Sequence, residues 1–258
     1  MKNLFLSVLI LFGGLFQATA QDFYLPSSSK SKKALKSMYK AMDLYSNVDI
    51  EKGNEAMKQA LAEDPNLFLA YVYAGQMAGE GDRPALLEKA LAIDAANFNE
   101  AEKIMRMMLE KVQKDPKYQP NAEMMALVEA YPQTSQANEM AALHSFYTSR
   151  DVEAGLKYAQ KVAELSPKYA PIYNNMGYMY MEKKDMSSAK IALEKYIALA
   201  PKEPNAYDSM AEYYAINEDY AKAAEFYDKA AVMGLEDAKE RADKARSMMN
   251  WVEILGLD

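Results

Sequence analysis

A 34-residue repeat constrains this chain more than any other feature. Asp151, Asp185 and Asp219 stand 34 residues apart, and so do Gly155, Ala189 and Ala223. Pro167 and Pro201 keep the spacing, and Tyr173, Met176, Gly177 and Tyr180 recur as Tyr207, Met210, Ala211 and Tyr214. A unit of this length cannot bury its own apolar face, so neighbouring units must stack to build a continuous core. The residue types specify two antiparallel helices per unit. Small residues at Gly177, Ala189, Ala211 and Ala223 let the helices approach closely. Tyr173, Tyr180, Leu193, Tyr207, Tyr214 and Tyr227 fill the space beside them. Each recurring Asp is placed to cap the second helix, whose first N–H groups lack intrahelical partners. Pro167 and Pro201 end that helix, because proline cannot continue it. Pro171 falls in a first turn, where a missing N–H does no harm.

The period extends toward the N-terminus with wear. Asp49 to Gly53 and Asp64-Pro65 match Asp151 to Gly155 and Ser166-Pro167 at an offset of 102, three periods. Tyr71-x2-Ala74-Gly75 opens another unit, with a shortened connection over 79–84. Residues 97–134 fit least well. They predict a longer helix near 97–114, a second helix ending at Pro132, and a divergent repeat that could kink the array. From Glu236 an alternately charged helix suits the polar cap that a terminal repeat needs. Some six units occupy residues 30–234, preceded by a short lead, Gln21 to Lys30. Nothing opposes an all-α fold.

Composition narrows the chemistry. The chain has 258 residues, no Cys, one His and a formal net charge of -7. Absence of Cys excludes disulfides, thiolate metal sites, a Cys nucleophile and a lipidated cysteine anchor. A single imidazole, His144, excludes two-histidine metal motifs, and no Gly-rich phosphate loop is present. An acidic pI argues against nucleic acid as the main partner. Residues 1–20 read as a signal peptide. Lys2 precedes an apolar run from Leu4 to Phe16, and Ala18-Thr19-Ala20 supplies the small-x-small cleavage pattern. That run is short for a membrane span. Cleavage near Ala20 makes the expected product periplasmic or secreted, with a formal charge of -8 once Lys2 is lost. Lys30, Lys32, Lys33, Lys36 and Lys40 read as a solvated helix start, and Trp251 as an anchor for the C-terminal tail.

The best unit reads Tyr173-x2-Met176-Gly177-x2-Tyr180…Ala189-x3-Leu193…Pro201. It resembles the tetratricopeptide repeat pattern, in which Trp and Leu occupy the slots of Tyr173 and Met176. The resemblance covers nearly all of 30–250 and is most specific over 135–234. The stretches around Tyr173-Asn-Asn-Met-Gly-Tyr and Pro204-Asn-Ala-Tyr-Asp-Ser-Met look like exported bacterial members of that superfamily. The resemblance implies a right-handed α-α superhelical solenoid whose first helices line a groove for a peptide or a partner helix. In the family, groove positions lie one, five and eight residues after the Trp slot. Here they are Met140, His144 and Tyr147; Asn174, Tyr178 and Met181; and Asp208, Glu212 and Ala215.

None of these positions is Lys or Arg, which disfavours a clamp on a terminal carboxylate and favours a basic or neutral extended segment. His144 as a general base lacks a legible Ser or Asp constellation. Asp208 and Glu212, four residues apart, read as an acidic helix face rather than an acid–base pair. Most Tyr and Met residues fall at core spacing. The expected function is a non-enzymatic protein-binding scaffold or assembly factor of the cell envelope, without cofactor or metal. A small-molecule or glycan-binding solenoid using the tyrosines is the alternative.

Overall fold

Each recurring aspartate caps a helix. Asp151 accepts from the Ala154 N–H at 3.0 Å, Asp185 from Ser188 at 3.1 Å, and Asp219 from Lys222 at 3.2 Å. The residue before each cap is left-handed, with φ of 58° at Arg150, 60° at Lys184 and 61° at Glu218. Lys184 and Glu218 therefore end their helices in a Schellman turn. The Asp185 N–H reaches Tyr180 O and the Lys184 N–H reaches Met181 O, both at 2.9 Å. Asp219 and Glu218 do the same to Tyr214 and Ala215, at 3.0 and 3.1 Å. One helix is thereby closed and the next opened within three residues.

The computed structural model describes residues 23–46 and 50–255. The signal peptide read over 1–20 lies outside the described residues, as does the side chain of Trp251. Among the described residues there are thirteen α-helices and no strand. They form two units, divided between Tyr169 and Ala170. The first contains α1 (Lys32–Ser46), α2 (Ile50–Glu63), α3 (Phe68–Met77), α4 (Arg83–Ala92), α5 (Glu100–Lys114), α6 (Asn121–Ala130), α7 (Ser135–Leu143) and α8 (Val152–Leu165). A π-helical turn, His144–Thr148, continues α7. The second contains α9 (Ala170–Glu182), α10 (Met186–Leu199), α11 (Pro204–Ile216), α12 (Tyr220–Val232) and α13 (Ala238–Leu255). Consecutive helices pair as hairpins, α1 with α2 through α11 with α12, and α13 lies on α12. No described helix is long and apolar enough to cross a membrane.

The poorly patterned stretch 97–134 is a hairpin like the others. Asn99 and Glu102 form a reciprocal capping box at the start of α5. Lys111 on α5 pairs with the buried Glu123 of α6 at 2.6 Å, and Tyr118 in the connection donates to the same carboxylate at 3.0 Å. In the second unit, α13 buries Ala242 and Ala245 against Ala223, Ala224 and Tyr227, and exposes Lys239, Glu240, Asp243 and Lys244, as a cap should.

The close approach of paired helices rests on glycine. A Cβ at Gly177 would lie 2.6 Å from Leu193 Cδ2 and 2.8 Å from Leu193 Cγ. Leu193 is fully buried and Ala189, one turn away, is also solvent-free, so neither can retreat. Forcing a methyl into such a core costs about 1–3 kcal/mol. That exceeds the roughly 0.8–1.0 kcal/mol by which Ala is the better helix former. Gly177→Ala is expected to destabilise the protein by about 1 kcal/mol and lower Tm by ~2–4 °C in a thermal melt. An unchanged or raised Tm would contradict this packing.

Candidate functional site

In the first unit, a segment of the chain itself, residues 23–29, lies on first helices of the hairpins, without regular structure from Leu25 onward. Phe23, Tyr24 and Leu25 are buried, and Leu25 is wholly inaccessible. The Phe23 ring packs on Tyr169, with centroids 4.8 Å apart. Tyr24 stacks on Tyr39 of α1 at 5.1 Å and 8°, and its hydroxyl donates to Asp43 at 2.8 Å. These contacts bury three large side chains, with Phe23 in helical backbone, Tyr24 in a bend and Leu25 in irregular backbone, against α1 and the end of the unit.

Side chains of the unit also reach the segment's backbone. The Leu25 N–H donates to Gln136 Oε1 at 2.8 Å, and Tyr73 of α3 donates to the same oxygen at 3.2 Å. Pro26 C=O accepts from Asn99 Nδ2 at 2.9 Å. Glu102 Oε1 accepts from the Ser28 N–H at 3.0 Å and the Ser27 hydroxyl at 2.9 Å. The Ser29 hydroxyl donates to Asp64 at 2.5 Å. The local cause is the capping box of α5. Glu102 Oε2 accepts from the Asn99 N–H at 3.1 Å, which leaves Oε1 turned toward the segment. Side-chain amides and carboxylates that hold a main chain in this way recognise extended backbone rather than one sequence, while the apolar pockets select side chains.

Glu139 of α7 lies in the same unit, 2% exposed, and accepts from the Tyr169 hydroxyl at 2.7 Å. Burial pushes its carboxyl up to about 8, although the Tyr169 bond favours the charged form. Its second oxygen and Gln136 Nε2 are buried without a hydrogen-bond partner. Because the folded pKa lies above the unfolded one, Glu139 contributes stability in full below about pH 4.5, and this is lost as pH rises through about 8. Thermal melts of the protein and of Glu139→Gln between pH 5 and 9 check the sign. The protein should lose ~5 °C more than the variant over that range. Parallel curves would remove Glu139 from this account.

The groove positions expected from the repeat divide into two sets. In the first unit, Met140 and His144 are buried and Tyr147 half-buried. His144 Nε2 lies 2.5 Å from Asn121 Oδ1, which ties the π turn to the start of α6, and burial holds its imidazole below the usual value. Tyr147 packs edge-on to Phe146 at 4.7 Å. The π turn explains the register. It adds one residue, so the Asp151 N–H reaches back six residues to Ser145 O, whereas Asp185 and Asp219 reach back five. Upstream of it, helix starts are 35 residues apart, Ser135 to Ala170, against 34 from Ala170 to Pro204. Glu139, not Met140, therefore stands at the helix position of Asn174 and Asp208.

In the second unit, Tyr178, Asp208 and Glu212 meet. Tyr178 donates to Glu212 at 2.7 Å, and its oxygen lies 3.2 Å from the Ser209 hydroxyl. Arg241 of α13 lies 2.8 Å from Asp208 and 3.9 Å from Glu212, over the face of Tyr227. Burial pushes Asp208 up to about 6 despite Arg241. Asn174 is 1% exposed, and its Oδ1 has no hydrogen-bond partner. Met181 belongs to the core around Ala189, Leu193 and Met210. Ala215 is half-buried. Among the described residues no group of three or more His, Asp or Glu is arranged to hold a metal ion.

No protein-family model and no curated protein matches the sequence. Solved structures do match. The APC/C hetero-tetramer Cut9–Hcn1 superposes with a TM-score of 0.55 at 16% identity, over 81% of this chain and 42% of the other. The chain thus spans less than half the length of that relative. PilW, a type IV pilus biogenesis factor, superposes with a TM-score of 0.52 at 14% identity, over 83% and 98% of the two chains. A tetratricopeptide repeat protein of Thermus thermophilus matches at 0.45 and 19% identity, over 82% and 98%. The chain has the tetratricopeptide repeat fold. Within that fold, the segment 23–29 lies against side chains of the first helices α1, α5 and α7. The residues that sequence reasoning missed are Glu102, Gln136, Glu139 and Arg241. Glu102 carried a readable signal, the Asn99-x-x-Glu102 capping box.

Proposed function

We infer that the protein is a non-enzymatic binding protein of the cell envelope, an assembly factor or scaffold exported after cleavage near Ala20. Its first-helix faces hold an extended segment of a partner protein. One observation carries this reading. The first unit already grips residues 23–29 through Gln136, Asn99 and Glu102, so a face of this protein is chemically able to hold an extended chain.

In the second unit, the corresponding set is Asn174, Tyr178, Asp208 and Glu212, of which the half-buried Tyr178 and Glu212 face the partner and Asn174 and Asp208 are buried beside them. Arg241 beside the two carboxylates offsets their charge, and residues 23–29 are themselves uncharged. Both facts favour an uncharged partner segment over a basic one. Met140, His144, Tyr147 and Met181 support the face from beneath or at its margin.

A photo-crosslinking amino acid placed at Ala215 in intact cells tests the reading. A single envelope protein should be trapped through an internal, uncharged stretch. No trapped protein, together with binding of sugars, would favour the glycan-binding alternative. Once the partner is identified, its affinity should change less than ~3-fold between about 50 and 500 mM salt. A steep fall would show that Asp208 and Glu212 carry recognition and that the partner is basic. Fractionation should place a product lacking residues 1–20 outside the cytoplasm. An uncleaved cytoplasmic product would contradict export.

A further inference from the structure

We propose that residues 23–29 are a detachable ligand carried in cis. They occupy a peptide groove on the first unit that a partner segment of the same pattern takes over. That pattern is two adjacent aromatic residues, an aliphatic residue, then Pro and a run of hydroxyl residues. The inference rests on the binding role above and adds the motif and the means of access.

Three observations support it. First, the mode of attachment is that of a bound peptide. Buried anchors at Phe23, Tyr24 and Leu25 sit among aromatic neighbours, and Gln136, Asn99 and Glu102 hold the main chain between them. None of these contacts depends on covalent continuity with α1. Second, the segment joins α1 through the exposed Lys30, and α1 has its own cap. Ser31 Oγ accepts from the Ala34 N–H at 3.2 Å, so α1 does not need the segment to begin. Third, the fit is incomplete. Gln136, whose Oε1 accepts from Leu25, keeps its Nε2 buried without a hydrogen-bond partner. A donor left unmade in a dry site is costly, and a segment that supplies an acceptor for it displaces one that does not. The charged and titratable groups around the segment are Asp43 on α1, Asp64 before α3, Glu102 on α5, Glu139 on α7, and the hydroxyls of Tyr39, Tyr73 and Tyr169.

A groove occupied in cis is open for only a fraction of the time, and a competing peptide binds more weakly by that fraction. Loosening the cis segment should therefore tighten binding in trans. The probe is a fluorescent peptide with the sequence of residues 22–31. The full chain carrying Leu25→Asp should bind it at least ~10-fold more tightly than the unaltered chain. The same peptide with Asp in place of its leucine should bind neither. Adding Gln136→Ala to the Leu25→Asp chain should return affinity to the unaltered level. Equal affinity for the two chains, with helical content retained, overturns the proposal.

If Leu25→Asp does not fold, a protease site inserted between Lys30 and Ser31 replaces it. After cleavage of the folded protein, native mass spectrometry should show the released segment exchanging for the fluorescent peptide. Unfolding on cleavage, or a segment that never exchanges, would make residues 23–29 a structural strap and overturn the proposal. These outcomes are separable from the binding role itself. Exchange without any trapped envelope partner would leave the groove competent and the partner reading wrong.

Discussion

The contact on which everything else depends is the one between paired helices at their small residues. Gly177 lies against Leu193 with no room for a methyl group, and Gly75 of α3 bears on Leu87 of α4 in the same way. Such close approach turns a hairpin into a slab with two faces. The first helices present one face, the second helices the other. A hairpin alone leaves one face wet, so hairpins stack. Stacking brings side chains from successive first helices, such as Tyr73, Glu102 and Gln136, onto one face, where Gln136 and Glu102 bond to residues 25 and 28 of the same chain.

The same geometry sets how polar groups are used. A first helix buried against its neighbours carries side chains that are out of water yet must be satisfied. In the first unit, Gln136 Oε1 and Glu102 Oε1 accept from the main chain of residues 25 and 28, while Gln136 Nε2 stays unpartnered. In the second, Glu212 is satisfied by Tyr178, while Asp208 lies against Arg241. Glu139 is the costliest of the set, because burial outweighs its single bond from Tyr169 and raises its carboxyl toward neutrality. Buried polar groups on a common face, some unpartnered, are costly, because the low dielectric that strengthens a made hydrogen bond also penalises an unmade one.

Much of this is legible in the sequence, because periodicity and capping are local. The aspartate caps, the small-against-large pairing of Gly177 and Leu193, and the place of Pro171 follow from residue type and spacing. The left-handed residues at Arg150, Lys184 and Glu218 do not, since none is the glycine that usually marks such a turn. The π turn at His144–Thr148 adds a residue inside a helix and has no compositional signature, so counting by 34 reaches Met140 where the register belongs to Glu139. Arg241 reaches Asp208 from a helix outside the repeat, a contact that no period encodes. In residues 97–134 the hairpin buries Ile104, Met105, Met108, Met124 and Leu127 and adds an ion pair, Lys111 to Glu123, that the repeat pattern does not encode. The largest miss is the lead, Gln21 to Lys30. Counting repeats leaves it as a remainder, yet Phe23-Tyr-Leu-Pro is an apolar run that a surface tail would not carry without something to bury it.

Amide hydrogen exchange at Leu25 and Ser28 tests the central claim, that a first-helix face binds residues 23–29 as it would bind a separate peptide. Both N–H groups should be protected, since Gln136 and Glu102 hold them, but should exchange through an opening far smaller than global unfolding. Amides in the middle of α7 and α8 should exchange only by the larger process. Protection of Leu25 and Ser28 equal to that of α7 would make the segment part of the core, and absence of protection would mean that it is not bound. Either result contradicts the account.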